Sequence, residues 1–483
     1  MHWSTVQRIL GLLLMLFSIA MLPPALIALI FNDAGLLPFT LSFAVILAAG
    51  ALLWLPVRQD RHELRTRDGF LIVVLFWSVL GLAGAVPLVL ADEPQIGLTD
   101  AAFESLSGLT TTGATVLTGI DNLPESIRFY RQQLQWFGGM GIIVLAVAIL
   151  PMLGVGGMQL YRAEMPGPVK DSKLTPRIGE TAKALWYIYL GLTIACALAY
   201  WLAGMNWFDA IGHSFSTVAI GGYSTYDASI GHFDNPLIEM ICVVFLLIAG
   251  INFAMHFVAW RRRSLQHYLQ DTEVRWFFGI MFTVVCIVTL TLALTGHHGG
   301  WGETLRHGIF QAVSIGATAG FTTTEFHVWP VFLPLLLIMT AFIGGCAAST
   351  AGGIKVVRFL LLLKQGYREI IRLVHPQAQV LVKVGHRAVD ERVIDAVWGF
   401  FAAYIALFAL MVLALMGTGL DQVSAFSAVA ATINNLGPGL GVVAEDYGGI
   451  STTAKWVLMF AMLLGRLEVF TLLVLFTPAF WRR

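Results

Sequence analysis

The chain has 483 residues with 29 basic and 29 acidic side chains; charged residues make up 12 % of it and apolar residues 57 %. Globular chains carry about 25 % charged residues, so a soluble protein of this size could not cover its surface with so few. Ordinary soluble domains are therefore excluded in favour of a multi-span membrane protein, and the balanced charge argues against nucleic-acid binding.

The first apolar run follows Arg8 directly, is too long for a signal peptide and has no small-residue cleavage site, so it is a retained span. Runs of about 20 apolar residues follow in order at Ile9–Ile30, Leu36–Leu55, Phe70–Leu90, Leu134–Met152, Ala184–Trp201, Leu237–Trp260, Trp276–Leu294, Val331–Leu363, Val397–Leu415 and Trp456–Phe476. Only the eighth is expected to be interrupted, at Gly344–Gly353. Cys196, Cys242, Cys286 and Cys346 lie in apolar stretches without zinc-site spacing, and packing accounts for them. With the N-terminus inside, 24 of the 29 basic residues fall in inner loops, and only Arg128, Arg131, Arg306 and Lys455 fall outside. The positive-inside rule thus places both termini in the cytoplasm. Acidic residues lean outward, which raises local cation concentration at the outer mouth; solubilisation of the outer loops explains them equally well.

The outer loops after spans three, five, seven and nine share a pattern. Asp100–Thr115, Asp209–Thr225, His307–Thr323 and Val423–Leu440 are semi-apolar segments that end in a polar turn, registered on Gly113, Gly222, Gly320 and Gly437. The glycines are spaced by 109, 98 and 117 residues, one span–loop–span unit each. Ser107, Ser216 and Ser314 lie six positions before their glycine and Thr432 five before in the last copy. Four copies predict internal fourfold pseudosymmetry. Non-helical backbone at membrane depth must line a watery path or be buried in protein. Four such turns on one axis could present rings of carbonyls to an alkali cation, with the short helices aiming their negative ends at it. Thr217–Tyr223 resembles a potassium-channel filter loop.

Two further features bear on gating. Arg466 is an intramembrane charge and so a functional candidate; pairing with Glu468 is the structural alternative, although residues two apart on a helix do not face each other. The segment Gly345, Cys346, Ala347, Ala348, Ser349, Thr350, Ala351, Gly352 and Gly353 cannot hold a strong helix. It is either a flexible obstruction or a packing kink. His213 and His256 read as satisfied interior histidines. Gly154–Gly157 follows a span rather than a strand, so it is not a dinucleotide loop. No nucleophile–base set, Walker A or HExxH motif occurs, which argues against an enzyme.

On the four loops, the QWFGGMGIIVLAVAILP run from Gln135, the Gly-rich break and GRLEVFTLLVLFTP from Gly465, the chain resembles the TrkH/KtrB superfamily of potassium transporters over essentially its whole length. The resemblance implies an all-α integral membrane fold: two leading transmembrane helices (1–68) and four pseudo-symmetric span–re-entrant loop–span repeats (69–160, 161–263, 264–375 with a broken second helix, 376–483). It implies a K⁺ filter from carbonyls of Thr111, Thr112 and Gly113; Ile220, Gly221 and Gly222; Thr318, Ala319 and Gly320; and Asn435, Leu436 and Gly437. The fourth copy departs most, through Asn435 and Pro438. Gly113 looks like the potassium-permitting version, since sodium-selective plant relatives carry serine there. Arg466 and Gly345–Gly353 would form the inner gate, coupled to the cytosol by Lys355 and Arg358. The family further implies a homodimer in the bacterial inner membrane, surrounded by lipid. It docks on a cytosolic TrkA-like nucleotide-binding ring, with no nucleotide bound by this chain. The basic stretches Tyr161–Lys183 and Lys364–Arg392 are the natural docking surfaces for an acidic partner face, although ordinary solvated loops explain them nearly as well. The alternative function is K⁺ symport with H⁺ or Na⁺, for which Glu104 and Glu468 are the acids available.

Overall fold

A computed structural model describes residues 2–59, 65–144, 178–297, 299–330, 332–385 and 387–482. The glycine tract 154–157, most of the basic stretch 161–183 and the end of the fourth predicted span lie outside them. The leading helices are α1 (Trp3–Ser18) continued by α2 (Leu22–Phe31), and α3 (Leu36–Trp54). Repeat one holds α4 (Thr66–Ala83), α5 (Val86–Leu90), the re-entrant α6 (Leu98–Leu109) and α7 (Glu125–Val144). Repeat two holds α8 (Ile178–Leu202), the re-entrant α9 (Trp207–Val218), α10 (Pro236–Ala249) and α11 (Phe253–Arg262). A short α12 (Gln266–Gln270) leads to repeat three: α13 (Thr272–Thr295), the re-entrant α14 (Trp301–Gly316), α15 (Leu333–Ile343) and α16 (Val356–Val374). Repeat four holds α17 (Glu391–Gly417), the re-entrant α18 (Gln422–Ile433), α19 (Thr452–Arg466) and α20 (Phe470–Leu473).

Among the described residues, six helices are long and apolar enough to cross a membrane: Trp3–Phe31, Leu36–Val57, Arg67–Leu90, Lys183–Leu202, Thr272–Thr295 and Glu391–Gly417. The re-entrant helices differ in length and in surroundings. At 12 to 16 residues they are roughly 18–24 Å long, short of an apolar core of about 30 Å. Their C-terminal halves are buried nearly all round, α6 from Ala101 to Leu109 without interruption, whereas α13 exposes Phe282, Leu290 and Leu294. Two of their starts are capped by a side chain: Asn206 accepts a hydrogen bond from the Asp209 amide (2.8 Å), and Asp421 accepts from Val423 and Ser424 (3.0 and 3.1 Å).

Two expectations need correction. The sixth span is not continuous, because α10 and α11 meet at 92° across Gly250–Asn252. The Asn252 side chain caps the new helix by accepting from the Ala254 amide at 2.8 Å. The last span bends by 110° between α19 and α20, where Glu468 and Val469 both take positive φ (53° and 56°). The all-α class holds, with one short antiparallel ribbon in which Lys383–Val384 (β1) pairs with Arg387–Ala388 (β2). The predicted break of the eighth span is present between α15 and α16.

Apolar cores join the repeats in a circle. One packs Trp77, Phe103 and Tyr130 of repeat one with Leu458 and Met462 of repeat four, and reaches Phe39 of α3. A second joins Tyr200 and Phe253 to Phe310 and Phe321, and a third joins Ile315 and Leu337 to Leu436. Phe129 against Phe208 completes the circle between repeats one and two.

The leading helices cross on glycine. A Cβ on Gly50 would lie 2.8 Å from the Gly11 carbonyl oxygen, so the two backbones pack directly together. Gly50→Leu is expected to cost about 1–3 kcal/mol and to lower the thermal unfolding midpoint of the purified protein. Gly191→Leu, at a glycine with nothing within 4 Å, is expected not to lower it.

Candidate functional site

Each re-entrant helix ends in the same turn. The amides of Thr111, Ile220, Thr318 and Asn435 donate to the carbonyls of Gly108, Thr217, Ile315 and Thr432 at 3.0–3.1 Å. The next amides, of Thr112, Gly221, Ala319 and Leu436, donate to Ser107, Ser216, Ser314 and Ala431 at 2.7–2.8 Å. This is a Schellman motif made four times. It corrects the register of the last copy: Ala431, not Thr432, is the counterpart of the three serines.

The motif requires a left-handed residue after the helix, usually Gly. Here the position holds Thr111, Ile220, Thr318 and Asn435, at φ 52°, 53°, 65° and 52°. Three of the four are β-branched, which is a genuine outlier for that region. Such residues persist only where the surroundings over-determine them. Two residues later Gly113, Gly222, Gly320 and Gly437 again take positive φ, at 80°, 81°, 83° and 99°.

Those glycines interlock. A Cβ on Gly113 would overlap the carbonyl oxygen of Gly221, one on Gly222 that of Ala319, and one on Gly320 that of Leu436. One on Gly437 would stand 2.8 Å from the carbonyl oxygen of Thr112, closing the ring on the first copy. All twelve residues singled out for the filter are thus brought together in cyclic order, the fourth contact being the loosest.

Side chains behind the ring hold it. Gln135 Nε2 donates to the Gly221 carbonyl (2.6 Å), and its Oε1 accepts from the Tyr223 amide (3.0 Å). The Tyr223 hydroxyl donates to the Glu104 and Ala114 carbonyls, and the Tyr447 hydroxyl to the Gly437 carbonyl. Asn435 reaches across from copy four to donate to Thr112 Oγ1 at 3.0 Å. Sequence reading missed Gln135, Tyr223 and Tyr447; an uncharged amide inside the apolar run at Gln135 is the signal that could have found the first.

The four glycines share a cavity of about 520 Å³ whose walls include Asp227, Glu325, Glu445 and Asp446. The four basic residues of the outer loops are each neutralised: Arg128 by Glu125 (2.8 Å), Arg131 by Glu104 (2.7 Å), Arg306 by Glu239 and Asp234 (2.7 and 2.8 Å), Lys455 by Asp100 (2.6 Å). The vestibule therefore keeps an excess of negative charge.

On the far side, the Gly-rich segment lies directly under the ring. Gly352 donates to Thr318 Oγ1 (2.6 Å) and Gly353 to the Asn434 carbonyl (3.2 Å); Thr350 Oγ1 donates to the Val218 carbonyl (3.0 Å). It thus touches copies two, three and four. Arg466 stands near the first copy, with Nη2 donating to the Gly138 carbonyl at 3.3 Å and its guanidinium over the Trp77 ring. Its Nε has no partner among the described residues. Glu468 pairs with Arg358 at 2.7 Å, so the alternative Arg466–Glu468 pair is absent. Gly352, Gly353, Asn435 and Arg466 surround a cavity of about 40 Å³, room for very few waters. His213 and His256 are satisfied, the first by the Asp209 carbonyl and Ser224, the second by the Ile248 carbonyl and Tyr268.

Four re-entrant turns closed into a ring, with a cavity on each side, define a membrane protein organised around one central axis. The chain belongs to the TrkH family, whose model, described as "Cation transport protein", matches residues 37–483. It is 60 % identical over 483 residues to the Trk system potassium uptake protein TrkH of Halomonas elongata, covering 100 % of both chains. It is 41 % identical to the Trk system potassium uptake protein TrkG of Escherichia coli K12, covering 100 % of this chain and 99 % of that one. The crystal structure of the potassium transporter TrkH from Vibrio parahaemolyticus matches it with a TM-score of 0.93 at 57 % identity, covering 100 % of each chain.

The Glu104–Arg131 pair, almost wholly buried, ties the first re-entrant helix to α7. Arg131→Met would leave the carboxylate unpaired, an expected cost of about 3–5 kcal/mol read as a lower unfolding midpoint. Adding Glu104→Leu is expected to restore part of it, the non-additivity of a contacting pair.

Proposed function

We propose that the protein takes up potassium across the bacterial inner membrane by gated, channel-like permeation through the ring of four turns. The observation that carries this reading is the cyclic glycine–carbonyl interlock between an acidic vestibule and a constricted cavity. The carbonyls of Thr111, Thr112 and Gly113 and of their counterparts in the other copies replace the ion's hydration shell. The ligands in this reading are the backbone oxygens of the four turns. The transported K⁺ is cargo, and the chain binds no nucleotide and catalyses no reaction.

The gate in this reading has two parts. Residues Gly345–Gly353 obstruct the path beneath copies two, three and four, and Arg466 adds a positive charge beside the first. Two unit charges at 4 Å interact by about 4 kcal/mol at an effective dielectric constant of 20, enough to limit cation flow. The protein works as a homodimer with cytoplasmic termini. A TrkA-like nucleotide-binding ring docks on the basic stretches 161–183 and 364–392 and moves the gate through Lys355 and Arg358. Coupled symport is the weaker reading, because both candidate acids are occupied: Glu104 by Arg131 and Glu468 by Arg358.

The test is cation flux into proteoliposomes of the purified protein. Arg466→Ala is expected to raise K⁺ flux about tenfold, a barrier change of about 1.4 kcal/mol. Gly113→Ser puts a side chain onto the Gly221 carbonyl and is expected to lower K⁺ over Na⁺ selectivity about tenfold. Absence of flux in all three proteins contradicts the reading; unchanged selectivity in Gly113→Ser removes the ring from it.

A further inference from the structure

The Gly-rich segment is held by a carboxylate from another element. Its neck is closed by backbone bonds between its own arms: Ile354 to Phe342 (2.8 Å), Lys355 to Ile343 (3.0 Å) and Val356 to Gly345 (3.1 Å). Above the neck, the segment bonds to the ring and, through the Ala348 carbonyl, to the Phe253 amide at 3.1 Å. Glu273, in the first turn of α13, is 3 % exposed. Its Oε1 accepts from the Ala347 amide at 2.7 Å and from the Val357 amide at 3.3 Å.

Those two amides differ in kind. Val357 is the second residue of α16, whose first amides have no partner within the helix. Lys355, at the cap position of α16, has φ 83° and gives no side-chain cap, so Glu273 supplies that cap from a different helix. Ala347 opens the segment that crosses under the ring. One oxygen therefore fastens the start of the obstructing segment to the helix that follows it. An acid in a first helical turn also suits the dipole of its own helix, but this gives no reason for the side chain to be buried against another helix pair. Among the described residues no ion pair joins Glu273 to a base, and what it holds is backbone.

We propose that Glu273 is the latch of the gate, a positioning residue that sets how long the Gly345–Gly353 segment stays under the ring. This rests on the reading of that segment as the gate. With the segment in place, loss of the carboxylate leaves buried amides unpaired, whereas in a displaced segment the Ala347 amide meets water. The loss therefore falls on the closed state and shifts the population towards the open one.

The experiment is single-channel recording of the full-length protein in planar bilayers, with Glu273→Leu, Glu273→Gln and a deletion of residues 347–351. Glu273→Leu is expected to raise the open-to-closed ratio about tenfold, as for one buried amide left without its acceptor. Glu273→Gln, which keeps a neutral acceptor, is expected to raise it less. Single-channel current and K⁺ over Na⁺ selectivity stay unchanged, which a general structural defect would not allow. If the deletion leaves the open probability unchanged, the gate reading fails, and the latch with it. If the deletion raises it while neither Glu273 variant does, the latch alone is overturned. Should Glu273→Leu not fold, the alkylation rate of Cys346 in Glu273→Gln decides, followed by mass spectrometry of its peptide. Cys346 is buried beside Ala347 in the wild type, so severalfold faster modification supports the latch and an unchanged rate overturns it.

Discussion

The rest of the architecture depends on one backbone contact made four times: a left-handed glycine set against a carbonyl oxygen of the next repeat. Gly113, Gly222 and Gly320 have no room for a Cβ there, and Gly437 has little. Chain termini and loops differ among the repeats, but this contact brings four unequal segments onto one axis. The Schellman turn that delivers each glycine requires a left-handed residue two positions earlier, which accounts for Ile220 and two threonines in a region where β-branched residues rarely sit. The strain of those residues is stored at the ring, and the surrounding burial and hydrogen bonds hold it there.

Below the ring the fourfold order is lost, and the asymmetry has local causes. The second helices of repeats two, three and four are all interrupted: at Gly250–Asn252, over residues 344–355, and at Glu468–Val469. The first two breaks are bonded to each other through the Cys346 amide and the Gly250 carbonyl at 2.9 Å. The third places Glu468 where Arg358 of α16 can reach it. Three repeats thus converge on the Gly-rich segment, and the quadrant of repeat one is left to Arg466. A buried guanidinium without a carboxylate is costly, which fits a role other than stabilisation.

Much of this was legible in the sequence. The four turns stood out because Gly is tolerated poorly in element interiors and recurs here in register, and because membrane depth forbids unpaired backbone. The break of span eight showed itself by its four glycines. The bends of spans six and ten did not. At Gly250 a single glycine and a capping Asn252 leave the hydropathy pattern intact, and at Glu468 and Val469 no glycine marks the turn at all. Gln135, Tyr223 and Tyr447 were missed for another reason. They act on backbone atoms some 10 to 90 residues away, and no local periodicity records such a partner. Glu273 looks like an ordinary helix-start acid until the fold lays the Ala347 amide against it.

The central claim is that ions pass along the axis of the ring driven by their own gradient. Its most direct measurement is the reversal potential of the purified protein in planar bilayers under independently varied K⁺, Na⁺ and pH gradients. The account predicts a reversal potential that follows the K⁺ gradient by about 59 mV per tenfold and ignores the other two. A potential that moves with the pH or Na⁺ gradient would contradict it and establish coupled transport in its place.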